Sequence, residues 1–159
     1  VIFLEPIRLY RAVKEEVPEE RYEVPLGTAA VRREGTDVSL LTWGAMTKEA
    51  REAAAVLADE GVSAEVVDVR SLVPLDEDTV LGSVRKTGRA VIVHEAPRTA
   101  GFGAELAARI AETCLYDLLA PIERVTGWDT VFPLKRGEHH YLPSVERIVA
   151  AARRTMEPA

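Results

Sequence analysis

The sequence predicts an α/β layered domain, and three observations carry that expectation. From Leu26 onward, short β-branched runs alternate with longer Ala-rich runs of helical period, which is the pattern of strands joined through helices. The 159 residues are 47% apolar and 29% charged, an ordinary globular balance. A chain of roughly 150 residues buries about 70% of the surface its unfolded form exposes, so one domain holds a core without disulfide or metal.

The chain opens VIFLEP, an apolar and strand-like run without an initiator Met, and this reads as the end of something longer. Leu9 to Pro25 carries five carboxylates (Glu15, Glu16, Glu19, Glu20, Glu23) and two prolines with little apolar periodicity, as expected of a linker lying over a surface. The expected division is therefore 1–25 as the tail of a preceding domain plus linker, and 26–159 as the domain itself. Five strands are predicted: Ala29 to Arg33, Val38 to Thr42, Ala64 to Val69, Ala90 to His94 and Ile122 to Thr126. The first two are separated by EGTD (Glu34 to Asp37), a Gly-containing turn that suits an antiparallel connection. The others are joined through helices and should run parallel, with right-handed crossovers.

The spacing of Ala50, Ala53, Ala54 and Leu57 predicts a helix over about Met46 to Glu60, with Gly61 as its stop. A second runs from Asp76, which can cap the free amides of a helix start, to about Lys86, with Gly88 ending it. A third, about Gly103 to Leu115, turns Leu106, Ala107, Ile110, Ala111 and Cys114 to the core. Only Glu105, Arg109 and Glu112 remain as a polar stripe, so near-complete burial is expected. Pro143 and Ser144 open a last helix with Val145, Ile148, Val149 and Ala152 on its apolar side and Arg153 and Arg154 near its negative end.

Composition excludes several functions. A net charge of −6 disfavours sequence-independent nucleic-acid binding, which depends on cations facing phosphate, and better suits a basic protein partner. Apolar runs such as Ala90 to Val93 are strand-length, well short of the roughly 20 residues of a membrane helix. The lone Cys114 has no partner for an internal disulfide, which suits a reducing, cytoplasmic compartment. His139 and His140 are adjacent and would point to opposite faces of a strand, and Cys114 is distant from both, so no metal site is expected. Gly-x-Ser-x-Gly and P-loop motifs are absent.

The cluster His94 to Glu112, HEAPRTAGFGAELAARIAE, is the sharpest chemical candidate, because functional groups gather beyond the carboxyl ends of parallel strands. Two readings of His94 stay open: a general acid or base oriented by Glu95, or a histidine that closes the strand end structurally. Arg98 and the turn Gly101, Phe102, Gly103 supply a bidentate donor and free amides, the ingredients of an anion site. The turn is only superficially a dinucleotide fingerprint, since Leu106 stands where a third glycine should be and the loop is too long. Trp43, Trp128, Phe102 and Phe132 are candidates for a partner surface, with core packing as the alternative. Trp128 and Phe132 lie in a long connection before the last helix, and that favours an interface role.

The order of blocks along the chain carries a further inference. VIFLEPIRLYRAVKEEVP, VPLGTAAVRREGTDVSLLTWGAMTKEAREAA, VVDVRSLVPLDEDTVLGSVRKTGRAVIVHEAPRTAGFGAELAARIAE, PIERVTGWDTVFP and YLPSVERIV together resemble the carboxyl-terminal half of the beta subunit of thiamine-diphosphate-dependent 2-oxo acid dehydrogenases. That half is a transketolase carboxyl-terminal-type domain, here 26–159. The resemblance implies three αβα layers around a five-stranded mixed sheet of order 1-3-2-4-5 whose first strand is antiparallel. The topological switch would then lie between the second and fourth strands, at Trp43-Gly44-Ala45 and His94-Glu95.

In the family, thiamine diphosphate and its magnesium lie between the alpha subunit and the amino-terminal half of the beta subunit, which supplies the activating glutamate. The resemblance therefore implies no catalytic, cofactor-binding or metal-binding residue within this sequence. The complete enzyme would decarboxylate pyruvate or a branched-chain 2-oxo acid and pass the acyl group to a lipoyl arm, and this chain alone would not. Its implied role is assembly with an alpha subunit and a second beta subunit, and docking of the basic subunit-binding domain of the lipoyl acyltransferase. Docking candidates are Asp117, Glu123, Trp128, Asp129 and Phe132, with the end from Glu157 to Ala159; solvated surface charge is the alternative for the carboxylates. Two other readings are the tail of a transketolase or deoxyxylulose phosphate synthase, and a free-standing module binding an anion or nucleotide at His94, Arg98 and Gly101 to Gly103.

Overall fold

Alternation along the strands decides the architecture. Val38, Leu40, Val66, Val91 and Val93 face one side of a sheet, while Leu41, Val67 and Ile92 face the other, and all are buried. A strand apolar on both faces has to be covered on both faces. The computed structural model, which describes residues 2–12, 14 and 16–157, supplies those covers as two helical layers. The strands are β1 (Ala30–Arg33), β2 (Val38–Thr42), β3 (Ala64–Asp68), β4 (Ala90–Pro97) and β5 (Glu123–Gly127). The helices are α1 (Met46–Asp59), α2 (Glu77–Thr87), α3 (Phe102–Cys114), α4 (Glu138–Tyr141) and α5 (Val145–Met156), preceded by a 3-10 turn at Ile7–Leu9. Helices α1 and α5 cover one face, and α2 and α3 the other.

The sheet order is β1-β3-β2-β4-β5, with β1 antiparallel to β3 and the remaining pairs parallel. This is the three-layer arrangement the resemblance implies. The EGTD turn does not join neighbours, however, because β3 lies between β1 and β2. The turn instead crosses the start of β3, where Thr36 and Asp37 donate backbone N–H bonds to the Ser63 carbonyl and Asp37 accepts from the Ser63 amide. Gly35 makes the crossing possible, since a Cβ there would stand 2.2 Å from the Glu65 nitrogen.

Local chemistry sets the helix ends. Asp76 accepts the Thr79 amide at 3.1 Å and Ser144 the Arg147 amide at 3.3 Å, while Gly88 adopts the left-handed conformation that closes α2. Three further expectations are corrected. The opening VIFLEP run forms no strand among its described residues, and Ile2, Phe3 and Leu4 are exposed. Helix α3 is not nearly buried: Leu106, Ile110 and Cys114 face the core, but Ala107 and Ala111 are half-buried and Ala108 is exposed, because only one layer packs on this side. His139 and His140 lie on the short helix α4 rather than a strand, and their rings meet at 3.8 Å. The linker from Leu9 to Pro25 is largely exposed where described; Val13 and Glu15 lie outside the described residues.

Candidate functional site

Strand β4 ends by carrying His94 onto the face covered by α3. There the imidazole is 1% exposed and stacks on Trp43, with ring centroids 5.1 Å apart and planes within 10°. Trp43 meets Phe102 edge-on at 5.7 Å. Gly101 and Gly103 bring the α3 backbone against the same ring: Cβ atoms added there would come to 2.8 Å and 2.3 Å of it. Both ring nitrogens are buried and lack a hydrogen-bond partner in the protein. Burial, reinforced by the Arg124 charge, pushes the imidazole pKa down to about 4, so the ring is neutral at pH 7.

The sequence candidates thus separate into two groups. His94, Gly101, Phe102 and Gly103 converge with Trp43 in one packed cluster. Arg98 is engaged with the neighbouring strand: its guanidinium donates to the Arg124 carbonyl at 3.0 Å, and Arg124 donates back to the Arg98 carbonyl at 3.3 Å. Glu95 does not orient His94; its carboxylate accepts from Arg8 at 3.1 Å, and Arg8 also pairs with Glu49. Successive strand side chains point to opposite faces, so Glu95 projects away from the face that buries the His94 ring and is not placed to orient it.

The second region is the connection from Trp128 to Ser144. Trp128, Val131, Phe132 and Leu134 are 53, 87, 52 and 90% exposed, yet the segment is anchored from beneath. Trp128 Nε1 donates to the His140 carbonyl at 2.8 Å, and Phe132 packs edge-on against the buried Tyr141 at 4.9 Å. The Arg147 guanidinium lies 4.5 Å from the centre of a Trp128 ring and donates to the carbonyls of Thr126 and Leu142. Burial lowers the pKa of Arg147 from its ordinary value, although cation–π contact and two carbonyl acceptors suit its charged form. A groove of about 350 Å³ runs beside Trp128, Val131, Pro133 and Tyr141.

The proposed docking carboxylates have neighbours of their own. Asp117 faces Arg85 at 3.8 Å, and Glu123 holds Arg154 through both oxygens at 3.1 and 2.7 Å. Asp129 accepts from the backbone and hydroxyl of Thr99, which hold its carboxyl below the ordinary aspartate value. Glu157 is exposed; Pro158 and Ala159 lie outside the described residues. Cys114 is buried, and burial pushes its thiol pKa up, which suits packing rather than nucleophilic work. Sequence reading missed Arg147, Tyr141 and Arg8. Their contacts follow no local sequence pattern: Arg147 reaches Thr126 and Trp128, Tyr141 meets Phe132, and Arg8 reaches Glu49 and Glu95.

Residues 27–148 match the family described as transketolase, C-terminal domain. The chain belongs to this family. Over 99% of its length this transketolase C-terminal-type domain is 46% identical to the pyruvate dehydrogenase E1 component subunit beta of Staphylococcus epidermidis and 48% identical to that of Bacillus subtilis. It spans 48% of each of these relatives, about half their length. Among solved structures, a split-gene transketolase described as an inactive beta4 tetramer superposes with TM-score 0.71 and 30% identity, over 91% of this chain and 45% of that one. A 2-oxoglutarate:ferredoxin oxidoreductase from Magnetococcus marinus shares the fold at TM-score 0.54 and 16% identity, over 82% of this chain and 20% of that one.

Among the described residues no helix is long and apolar enough to cross a membrane, and no three His, Cys, Asp or Glu side chains converge as a metal site.

Proposed function

We propose that residues 26–159 are the assembly and partner-docking domain of a 2-oxo acid dehydrogenase beta subunit, with 1–25 as the tail of a preceding domain and linker. The observation that carries this reading is the anchored but exposed loop of Trp128, Val131, Phe132 and Leu134. Exposed aromatic and aliphatic groups held on a rigid base are what a subunit interface presents before it is covered. The similarity to E1 beta subunits supports the parent reaction: oxidative decarboxylation of pyruvate or a branched-chain 2-oxo acid, with acyl transfer to lipoyl.

In this reading the partners are the alpha subunit, a second beta subunit and the subunit-binding domain of the lipoyl acyltransferase, all meeting in the cytoplasm. Trp128 and Phe132 supply apolar contact next to Asp129, while Asp117 and Glu123, paired with Arg85 and Arg154, are acidic docking candidates toward the other end of β5. The net charge of −6 favours a basic partner, because opposite potentials speed encounter and select against wrong surfaces. Thiamine diphosphate and magnesium belong to the parent complex and are held outside this chain. When bound there, the cofactor supplies the carbanion stabilisation that decarboxylation needs. The cluster around His94 serves this role by fixing α3 to the sheet, since the Nε2 edge of its ring lies against the Gly101 and Gly103 backbone.

The test is turnover. With a 2-oxo acid, thiamine diphosphate and magnesium, the chain alone is expected to give none. Robust turnover without added subunits would overturn the proposal. A second reading, the tail of a transketolase, draws on the split-gene transketolase likeness, and the higher identity to E1 beta subunits favours the first. A free-standing anion or nucleotide module at His94, Arg98 and Gly101 to Gly103 draws less support, because Arg98 is tied to Arg124 and the glycines abut the imidazole.

A further inference from the structure

Among the described residues the sheet ends at two edge strands, β1 and β5. An edge strand displays a row of backbone N–H and C=O groups with which a further strand can pair. On β5 the ladder decides which groups these are. The Ser39 amide donates to the Arg89 carbonyl at 2.8 Å, so Arg89, Val91 and Val93 turn their backbone groups toward β2, and Ala90, Ile92 and His94 turn theirs toward β5. Ile92 lies level with Arg124 in this parallel pair, and its slanted bonds therefore go to Glu123 and Val125. Arg124 and Thr126 are left with backbone groups that point out of the sheet.

Both of those outward carbonyls are occupied by guanidinium groups. Arg98 donates to the Arg124 carbonyl at 3.0 Å, and Arg124 donates back to the Arg98 carbonyl at 3.3 Å. Arg147 donates to the Thr126 carbonyl at 2.6 Å, and Thr126 is buried, so the Arg124 half is the more open part of the edge. The loop that carries Arg98 is itself fixed, because Asp129 accepts the amide of the next residue, Thr99, at 2.9 Å and its hydroxyl at 2.7 Å. The β1 edge is closed by another device. Its register with β3 slips between Val31 and Arg33, and the extra residue, Arg32, turns its guanidinium onto Asp68. A bulge of this kind twists an edge away from the plane that an added strand needs.

We infer that Arg98 and Arg147 are edge guards, which occupy the outward carbonyls of β5 and so prevent a second copy of this chain from pairing strand to strand there. A second copy is the partner excluded, because it presents the same outward groups, and antiparallel pairing of identical strands about a two-fold axis bonds them reciprocally. The exposed loop begins at Trp128, directly after β5. With the edge closed, contacts on this side of the domain are made by side chains of the loop and not by growth of the sheet. The closure does not depend on what docks at the loop.

Sedimentation velocity of the full chain over a range of concentrations, with hydrogen exchange followed at the Arg124 amide, tests this. In Arg98→Ala, self-association is expected to tighten about tenfold over the parent, the effect of freeing one backbone acceptor for pairing. The Arg124 amide should then gain protection as the concentration rises. Arg98→Lys keeps a donor but loses the planar fork and should fall between the two. Adding Arg147→Lys to Arg98→Ala should tighten association further. Self-association that stays within about twofold of the parent in both the single and the double variant would overturn the guard. Tighter association without protection at Arg124 would also overturn it, since the copies would then meet through another surface such as the loop. If the double variant loses its cooperative melting transition, Arg98→Ala alone decides by the same two readings.

Discussion

The imidazole of His94 occupies the space that a side chain on Gly103 would need: a Cβ there would lie 2.3 Å from Nε2 and 2.5 Å from Cδ2. Helix α3 can sit this close to β4 only because position 103 is glycine. Gly103→Ala should therefore cost about 1–3 kcal/mol in denaturant unfolding, despite the better helix propensity of alanine. The same substitution in a His94→Ala background should cost much less, since the added methyl then fills the space left by the ring. Additive losses in that double-mutant cycle would show that the two residues are not in steric competition.

The same histidine makes stability depend on pH. Its folded pKa of about 4 lies below the unfolded value of 6.5, so the unfolded chain binds the proton first as pH falls. The contribution is fully present above pH 6.5, is lost progressively between pH 6.5 and 4, and changes no further below that. At about 1.4 kcal/mol per unit, the loss amounts to roughly 3 kcal/mol. Unfolding free energies measured from pH 7.5 to 4 should show this slope in the parent and a flatter one in His94→Gln. Parallel slopes would assign the acid sensitivity to other groups.

Asp76 joins two elements that are far apart in sequence. One oxygen caps α2 through the Thr79 amide, and the other accepts the Ala29 amide just before β1, at 2.8 Å, together with the Thr79 hydroxyl. Burial works to raise the carboxyl pKa, but these bonds outweigh it and hold it below the ordinary aspartate value. Asp76→Ala should cost about 1–2 kcal/mol, with amide exchange rising at both Ala29 and Thr79. A rise at Thr79 alone would reduce Asp76 to a simple helix cap.

Arg147 keeps the exposed loop in shape. Arg147→Lys preserves charge but loses the planar fork that reaches the Thr126 and Leu142 carbonyls and lies over Trp128. The expected result is a more solvent-exposed Trp128, read as a red shift of its fluorescence in a Trp43→Phe background. The melting transition should remain cooperative. Unchanged emission would mean that the His140 carbonyl alone holds the indole.

Much of the fold was legible because its signals are local. Asp76 and Gly88 bracketed α2, the spacing of Ala50 to Leu57 drew α1, and the run Val38 to Thr42 marked β2 to the residue. Strand β4 ran three residues past the expected His94 to Pro97, since pairing with β5 continues through a bulge that no local pattern announces. The EGTD turn misled for a related reason. A turn shows that the chain reverses, while pairing depends on β3, some 30 residues later, inserting itself between the two strands. At the site, the closeness of Gly103 to His94 and the reach of Arg147 and Arg8 are tertiary facts. Glycine, arginine and histidine carry no periodicity that would reveal them.

In the proposed function this domain binds partners and does not itself turn over substrate. A calorimetric titration of the chain with the subunit-binding domain of a lipoyl acyltransferase, at low and at high salt, tests it most directly. Saturable binding that weakens as salt rises is expected from an acidic docking surface meeting a basic partner. Absence of binding at both salt concentrations would contradict the docking role.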